Sequence, residues 1–204
     1  MPYHGRVNLF TRRESDREKW GERLPLGQKS TDGWPVLHYG SIPRIELETW
    51  RFEVGGLVEE PLSFSWQDLM ALPQVNLHND IHCVTAWSKF DNDWTGVRVT
   101  DLLNDVKLKP EAKHVMVHSY GGYTTNISID DLLRDENLIA HTHSSQPLTR
   151  EHGGPARLVV PHLYFWKSAK WVRGFVFIDQ EQPGFWEMYG YHLRGDPWKE
   201  ERYS

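Results

Sequence analysis

The chain has 204 residues with 39% hydrophobic and 25% charged side chains, enough apolar material for one full domain and too much for wholesale disorder. A net charge of −5 argues against nucleic acid or an anionic membrane as the main partner, and no stretch approaches the roughly 20 apolar residues that span a bilayer. A single cysteine, Cys83, excludes an intrachain disulfide and a cysteine-only zinc site, and it suits a reducing compartment.

In chain order, the first 33 residues carry twelve charges and little apolar periodicity, so residues 1–32 read as a charged N-terminal arm. Arg12-Arg13 is followed by Glu14, Ser15, Asp16, Arg17 and Glu18, where an export signal requires an apolar segment. The expectation is a cytoplasmic protein without membrane insertion. Residues 33–204 then form one domain with no internal repeat and no low-complexity linker. Trp50, Phe52 and Val54 alternate with charged residues, the period of a half-buried strand, and Gly55-Gly56 predicts a turn after it. Ser65 is placed to cap a short helix over residues 66–70 that stops before Pro73. Further short helices are expected at residues 100–103 and 128–133, and strands at residues 114–118 and 171–178. Short helices scattered among strands predict an α+β fold rather than a doubly wound sheet.

The dinucleotide and P-loop glycine patterns, the G-x-S-x-G elbow and the H-E-x-x-H helix are all absent. His78, His82 and Cys83 have spacings compatible with zinc, but no carboxylate or second cysteine completes a diagnostic set. Cys83 admits three readings from its residues alone. It is a small buried hydrophobe, a nucleophile beside His82, or the one protein ligand of a metal whose other ligands belong to an organic cofactor.

The run over residues 50–69, His82-Cys83-Val84-Thr85-Ala86-Trp87-Ser88, and Trp94-Thr95-Gly96-Val97 resembles the molybdopterin-binding domain of the sulfite oxidase superfamily. Gly153-Gly154-Pro155-Ala156-Arg157, Lys167-Ser168-Ala169-Lys170-Trp171 and Gly184-Phe185-Trp186 with Tyr191 follow in the family's order. The small bacterial members, akin to the catalytic subunit of methionine sulfoxide reductase, resemble this chain most in size. The resemblance implies a sulfite-oxidase-type fold of mixed sheets and short helices. It also implies one molybdopterin per chain, carrying molybdenum, with the thiolate of Cys83 as metal ligand and catalytic residue. Arg157 and Lys170 are then expected at the cofactor phosphate, with the backbone of Ser168 and Ala169 facing it, and His38, Ser119 and His152 as further pterin contacts. The implied activity is two-electron oxygen-atom transfer, with electrons exchanged with an external protein partner. A sulfite oxidase or dehydrogenase, a molybdopterin-holding protein without turnover and a cysteine-dependent hydrolase are the competing readings.

Substrate choice is legible in the charges near the cysteine. Sulfite oxidases carry an arginine a few residues past the ligand cysteine and another in the N-terminal cofactor block. Here Val84, Thr85, Ala86, Trp87 and Ser88 follow Cys83, Lys89 is the nearest cation, and residues 36–43 hold no arginine. A doubly charged anion needs fixed positive charge beside the reacting centre. The expectation is therefore a small neutral S-oxide or N-oxide rather than sulfite.

Overall fold

The computed structural model describes residues 9–204, and the side chains from residue 14 onward. Among the described residues there are five α-helices and eleven strands. The helices are α1 (Leu9–Trp20), α2 (Trp66–Ala71), α3 (Val99–Leu102), α4 (Ile129–Leu132) and α5 (Phe185–Met188). The strands are β1 (Lys29–Ser30), β2 (Arg51–Gly56), β3 (Leu62–Ser65), β4 (Val75–Cys83), β5 (Trp87–Arg98), β6 (His114–Ser119), β7 (Thr124–Ser128), β8 (Leu138–His143), β9 (Gln146–Pro147), β10 (Arg157–Val159) and β11 (Val172–Ile178).

Two mixed sheets organise them. In the first, the long β5 pairs antiparallel with β4 and β8, β8 pairs with β10 and β9, and β1 lies parallel to the start of β5. The second runs β3-β2-β11-β6-β7, with β2 and β11 parallel and the other pairs antiparallel. This is the α+β arrangement expected from the sequence.

Local chemistry accounts for the elements. Phe52 and Val54 are buried on β2 while Arg51 and Glu53 face out, the alternation of a strand with one solvated face. Ser65 and Asp68 form a reciprocal capping box that starts α2, and Ser128 caps α4 by accepting from the Asp131 amide. β2 ends at Gly56, where the turn was expected, and the Val58 amide donates back to the Gly56 carbonyl at 2.9 Å. Both glycines remain in β2 opposite Val176 and Phe177, and a Cβ on Gly56, whose φ is +78°, would lie 2.3 Å from the Phe177 carbonyl oxygen. Glycine at this strand end lets the two backbones approach closely.

The part of the charged arm that is described folds onto the first sheet. Lys29 and Ser30 register with Trp87 and Ser88, and buried Asp16 accepts from the Ser30 amide and hydroxyl at 2.8 and 2.6 Å. The main core gathers Trp50, Phe52, Leu69, Val117, Phe175 and Phe177 from the buried face of the second sheet and its surroundings with Val97, Ile139 and Leu158 of the first sheet. A second apolar cluster gathers Ile81, Cys83, Trp87, Trp94, Tyr164 and Trp166. This smaller cluster is the floor of the site.

Candidate functional site

A cavity of about 360 Å³ opens above the second cluster. Its walls come from residues 34–39, the turn after β4, Tyr123, the start of β10, residues 165–171, Trp186 and Tyr191. Cys83, the last residue of β4, faces it together with Val84, Thr85 and Trp87. The strand ends there because the Ala86 amide donates back to the Cys83 carbonyl at 3.0 Å, and Ala86 takes a left-handed φ of +69°. The Cys83 sulfur is 3.2 Å from the Thr85 hydroxyl. Burial raises the thiol pKa, while the Thr85 hydrogen bonds and the charge of Arg202 act the other way. A thiol in this state is inert as a free nucleophile, and a soft metal ion would displace its proton.

Arg157 enters from β10 and is 1% exposed. Its guanidinium donates to the carbonyls of His152 and Ser168 at 2.9 and 2.7 Å and sits 4.2 Å from the centroid of Phe165. Burial lowers its pKa to about 9, so it stays charged at neutral pH. Lys170 lies on the same wall, donating to the carbonyls of Leu37 and Glu151. Burial, and then the neighbouring charge of Arg157, push its pKa down to about 7. Among the described residues neither cation makes an ion pair. Two cations held only by carbonyls leave the cavity short of negative charge.

The structure brings most of the expected residues together. His38, Ser168 and Ala169 line the cavity with Cys83, Arg157 and Lys170. His38 holds its own loop through Nδ1 to the Gly40 carbonyl at 3.0 Å. The Ser168 hydroxyl accepts from the Val160 amide, and the amides of Ser168 and Ala169 donate to Phe165 and Lys167 carbonyls, so this backbone is already committed to a tight turn. His152 stands one layer behind, its ring stacked on Trp34 at 3.9 Å. Burial, then the charges of Lys170 and Arg157, lower its pKa to about 4, and its Nδ1 is buried without a partner.

Ser119 is not brought to the cavity. It ends β6 on the core face, with its hydroxyl buried and unpartnered, and it borders a separate depression with Gly121, Gly122 and Arg173. The Gly121-Gly122 turn reverses the chain, the Ser119 amide pairs with the Tyr123 carbonyl, and Tyr123 occupies the cavity wall instead. Lys89 is also absent from the cavity lining, because its ammonium donates to Asn92 at 2.9 Å. The zinc reading finds no support: among the described residues no group of three His, Cys, Asp or Glu side chains could hold a metal ion. His82 is instead buried against the Ser88 hydroxyl at 2.8 Å, and His78 pairs with Asp91 and Asp93.

Sequence reasoning missed most of the aromatic wall. Trp34, Tyr123, Phe165, Trp166, Trp186 and Tyr191 all line the cavity. Trp186 and Tyr191 stack at 5.2 Å, and Trp166 meets Tyr191 edge-on at 5.1 Å. Trp87 also faces in, and its indole N–H is buried without a partner. The donor set fits a molybdopterin. There is one soft thiol for a metal, two uncompensated cations for a phosphate, unpartnered polar atoms at Trp87 and His152, and flat aromatic walls for a pterin ring.

Comparison with known families agrees with this donor set. The family model described as "Oxidoreductase molybdopterin binding domain" matches residues 39–186. The chain belongs to this family of molybdopterin-binding oxidoreductases. It is 48% identical over 193 residues to the uncharacterized oxidoreductase YuiH of Bacillus subtilis, covering 94% of this chain and 96% of that protein. It is 28% identical over 160 residues to a putative protein-methionine-sulfoxide reductase subunit, YedZ1, of Azospira oryzae, with 78% of this chain and 61% of that protein covered. Among solved structures, the sulfane dehydrogenase SoxCD of Paracoccus pantotrophus superposes with a TM-score of 0.64 at 24% identity, covering 70% of this chain and 41% of that one. The fold is thus that of the sulfite oxidase superfamily, and the chain is an oxidoreductase of that group. Among the described residues, no helix is long and apolar enough to cross a membrane.

Proposed function

We propose that this oxidoreductase catalyses two-electron oxygen-atom transfer on a small neutral S-oxide or N-oxide. One molybdopterin per chain would sit in the cavity. Cys83 would ligate its metal, Arg157 and Lys170 would compensate its phosphate, and His38, Ser168, Ala169 and the His152–Trp34 stack would line its bed. The cofactor supplies a redox-active metal able to exchange an oxygen atom; everything else is done by the chain. In the reducing direction, substrate oxide, two electrons and two protons give the deoxygenated product and water. The electrons come from an external protein donor, because among the described residues no further set of side chains resembles a redox-metal site. Residues of the aromatic wall exclude water and present an apolar face to the substrate. A cytoplasmic setting is part of the same proposal, supported by Cys83 as a lone free thiol.

One observation carries the choice of substrate. The two cations that line the cavity, Arg157 and Lys170, both donate to backbone carbonyls. The residues gathered with Cys83 are Val84, Trp87, Tyr164 and Trp166. An anion such as sulfite meets no cationic side chain among these residues, and Arg202, 5.0 Å from the Tyr164 ring, is outside the cavity lining, whereas a neutral oxide meets a matching apolar surface. Steady-state kinetics on protein with measured molybdenum content, comparing sulfite with a panel of sulfoxides and N-oxides, tests the proposal. Turnover of the oxides with a viologen donor is the expected result. A sulfite kcat/KM near 10⁶ M⁻¹s⁻¹, inside the usual enzymatic range of roughly 10⁴–10⁸, would overturn it in favour of a sulfite dehydrogenase.

A further inference from the structure

The turn that presents Cys83 is held from two distant parts of the chain. Gln28, 3% exposed, donates its side-chain amide to the Cys83 carbonyl at 3.0 Å. The next residue, Lys29, donates its backbone amide to the Ala86 carbonyl at 3.2 Å. From the other side, the Arg202 guanidinium donates to the Val84 carbonyl at 2.6 Å and lies 5.0 Å from the centroid of the Tyr164 ring. Gly27 makes room for this second grip. A Cβ there would lie 2.6 Å from the Glu200 carboxylate and 3.1 Å from the Arg202 guanidinium. The carbonyls of Cys83, Val84 and Ala86 are therefore all taken by donors outside the turn, and one of those donors is a fixed cation.

We infer that Arg202 and Gln28 are positioning residues for Cys83, with Arg202 also setting the redox potential of the metal that Cys83 would hold. The inference rests on the proposed ligand role of Cys83. A hydrogen bond from a charged donor is about twice as strong as a neutral one, so Arg202 is the stiffer of the two grips. It holds the carbonyl of the residue next to Cys83 and is not among the residues that line the cavity. It therefore favours the electron-rich, reduced form of the centre without offering substrate a binding charge. Glu200 beside it offsets part of that field, which leaves the sign of the effect unchanged.

Three variants test this: Arg202→Gln, Arg202→Lys and Gln28→Leu. In molybdenum-loaded protein the midpoint potential, followed by electron paramagnetic resonance, is expected to fall in Arg202→Gln and to stay near the wild-type value in Arg202→Lys. In cofactor-free protein, hydrogen exchange at the Ala86 amide is expected to speed up about tenfold or more in Arg202→Gln and Gln28→Leu, with β6 amides unaffected. An unchanged potential in loaded Arg202→Gln together with unchanged exchange at Ala86 overturns the inference and leaves the proposed function standing. Absence of molybdenum from the wild type would instead remove the proposed function. The exchange measurement still decides whether the two residues position the turn.

Discussion

Lys167 and Glu187 form an ion pair at 2.6 Å, with the lysine side chain 1% and the glutamate side chain 0% exposed. One oxygen of Glu187 takes three donors, from Lys167, the Thr125 hydroxyl and the Trp166 indole, while its other oxygen has none. Lys167 also donates to both oxygens of Asn126 and to the Leu193 carbonyl. The pair ties together two tryptophans of the cavity wall, because Trp166 precedes Lys167 and Trp186 precedes Glu187. Removing one partner strands the other charge in a dry interior, at a cost of about 3–5 kcal/mol. Lys167→Met is therefore expected to lower unfolding stability by that amount in denaturant titrations. The Lys167→Met, Glu187→Leu pair should recover part of it, and an additive double-mutant cycle would refute the coupling.

Replacing Cys83 by serine exchanges a soft, strongly donating ligand for a hard one. Activity is expected to collapse in Cys83→Ser, while the fold and most of the pterin remain, since the cations proposed to meet the phosphate, Arg157 and Lys170, come from other segments of the chain. Metal and pterin content beside far-ultraviolet circular dichroism check this. Full turnover in Cys83→Ser would remove the ligand assignment.

Arg157→Ala is expected to leave the phosphate poorly compensated and to reduce pterin content at least several-fold in protein from a molybdate-replete host. Arg157→Lys should restore only part of it. A single ammonium cannot reach the His152 and Ser168 carbonyls and present a planar fork to an anion at once. Equal pterin content in all three proteins would show that the phosphate is held elsewhere.

Lys170 gives the cofactor-free chain a defined pH response. Its folded pKa is pushed down by burial to about 7 from the 10.5 of an ordinary lysine. Between those values the unfolded chain binds more protons than the folded one, so this group makes stability rise with pH across that window. The destabilisation from burying the ammonium is fully present below about pH 7 and fades above it. Thermal melts of cofactor-free wild type and Lys170→Met are expected to differ most near pH 6, with the variant higher, and to converge by about pH 10. Phosphate binding to the same protein should weaken as pH rises through 7. A pH-independent gap between the two melting curves would contradict the shift.

Local chemistry was readable before any coordinates. The Ser65–Asp68 box, the Phe52/Val54 alternation and the Ser128 cap depend on residues at most three positions apart, and each forms where the sequence places it. Of the residues expected at the site, Cys83, Arg157, Lys170, His38, Ser168 and Ala169 line one cavity, and Ser119 and His152 do not. Ser119 escaped because a two-glycine turn decides whether it or Tyr123 faces inward, and that turn's path is set by pairing with the Tyr123 carbonyl. The aromatic wall escaped for a different reason. Trp34, Trp166 and Tyr191 come from separate segments outside the named strands, and their spacing in sequence carries no period. Lys167 was legible only as part of a cofactor segment, and its partner Glu187 lies 20 residues later with no local signal to join them.

The two grips on the cysteine turn also order events in time. Gln28 is 55 residues from the carbonyl it holds, and Arg202 is 118 residues from its own. Contacts of that separation close late, after the loop entropy of the intervening chain has been overcome. During vectorial synthesis the Cys83 turn therefore stays incomplete until residue 202 has emerged, long after β4 and β5 can pair. A nascent chain offers the pterin an unfinished bed, and cofactor loading becomes a post-translational step performed on a chain that has already collapsed.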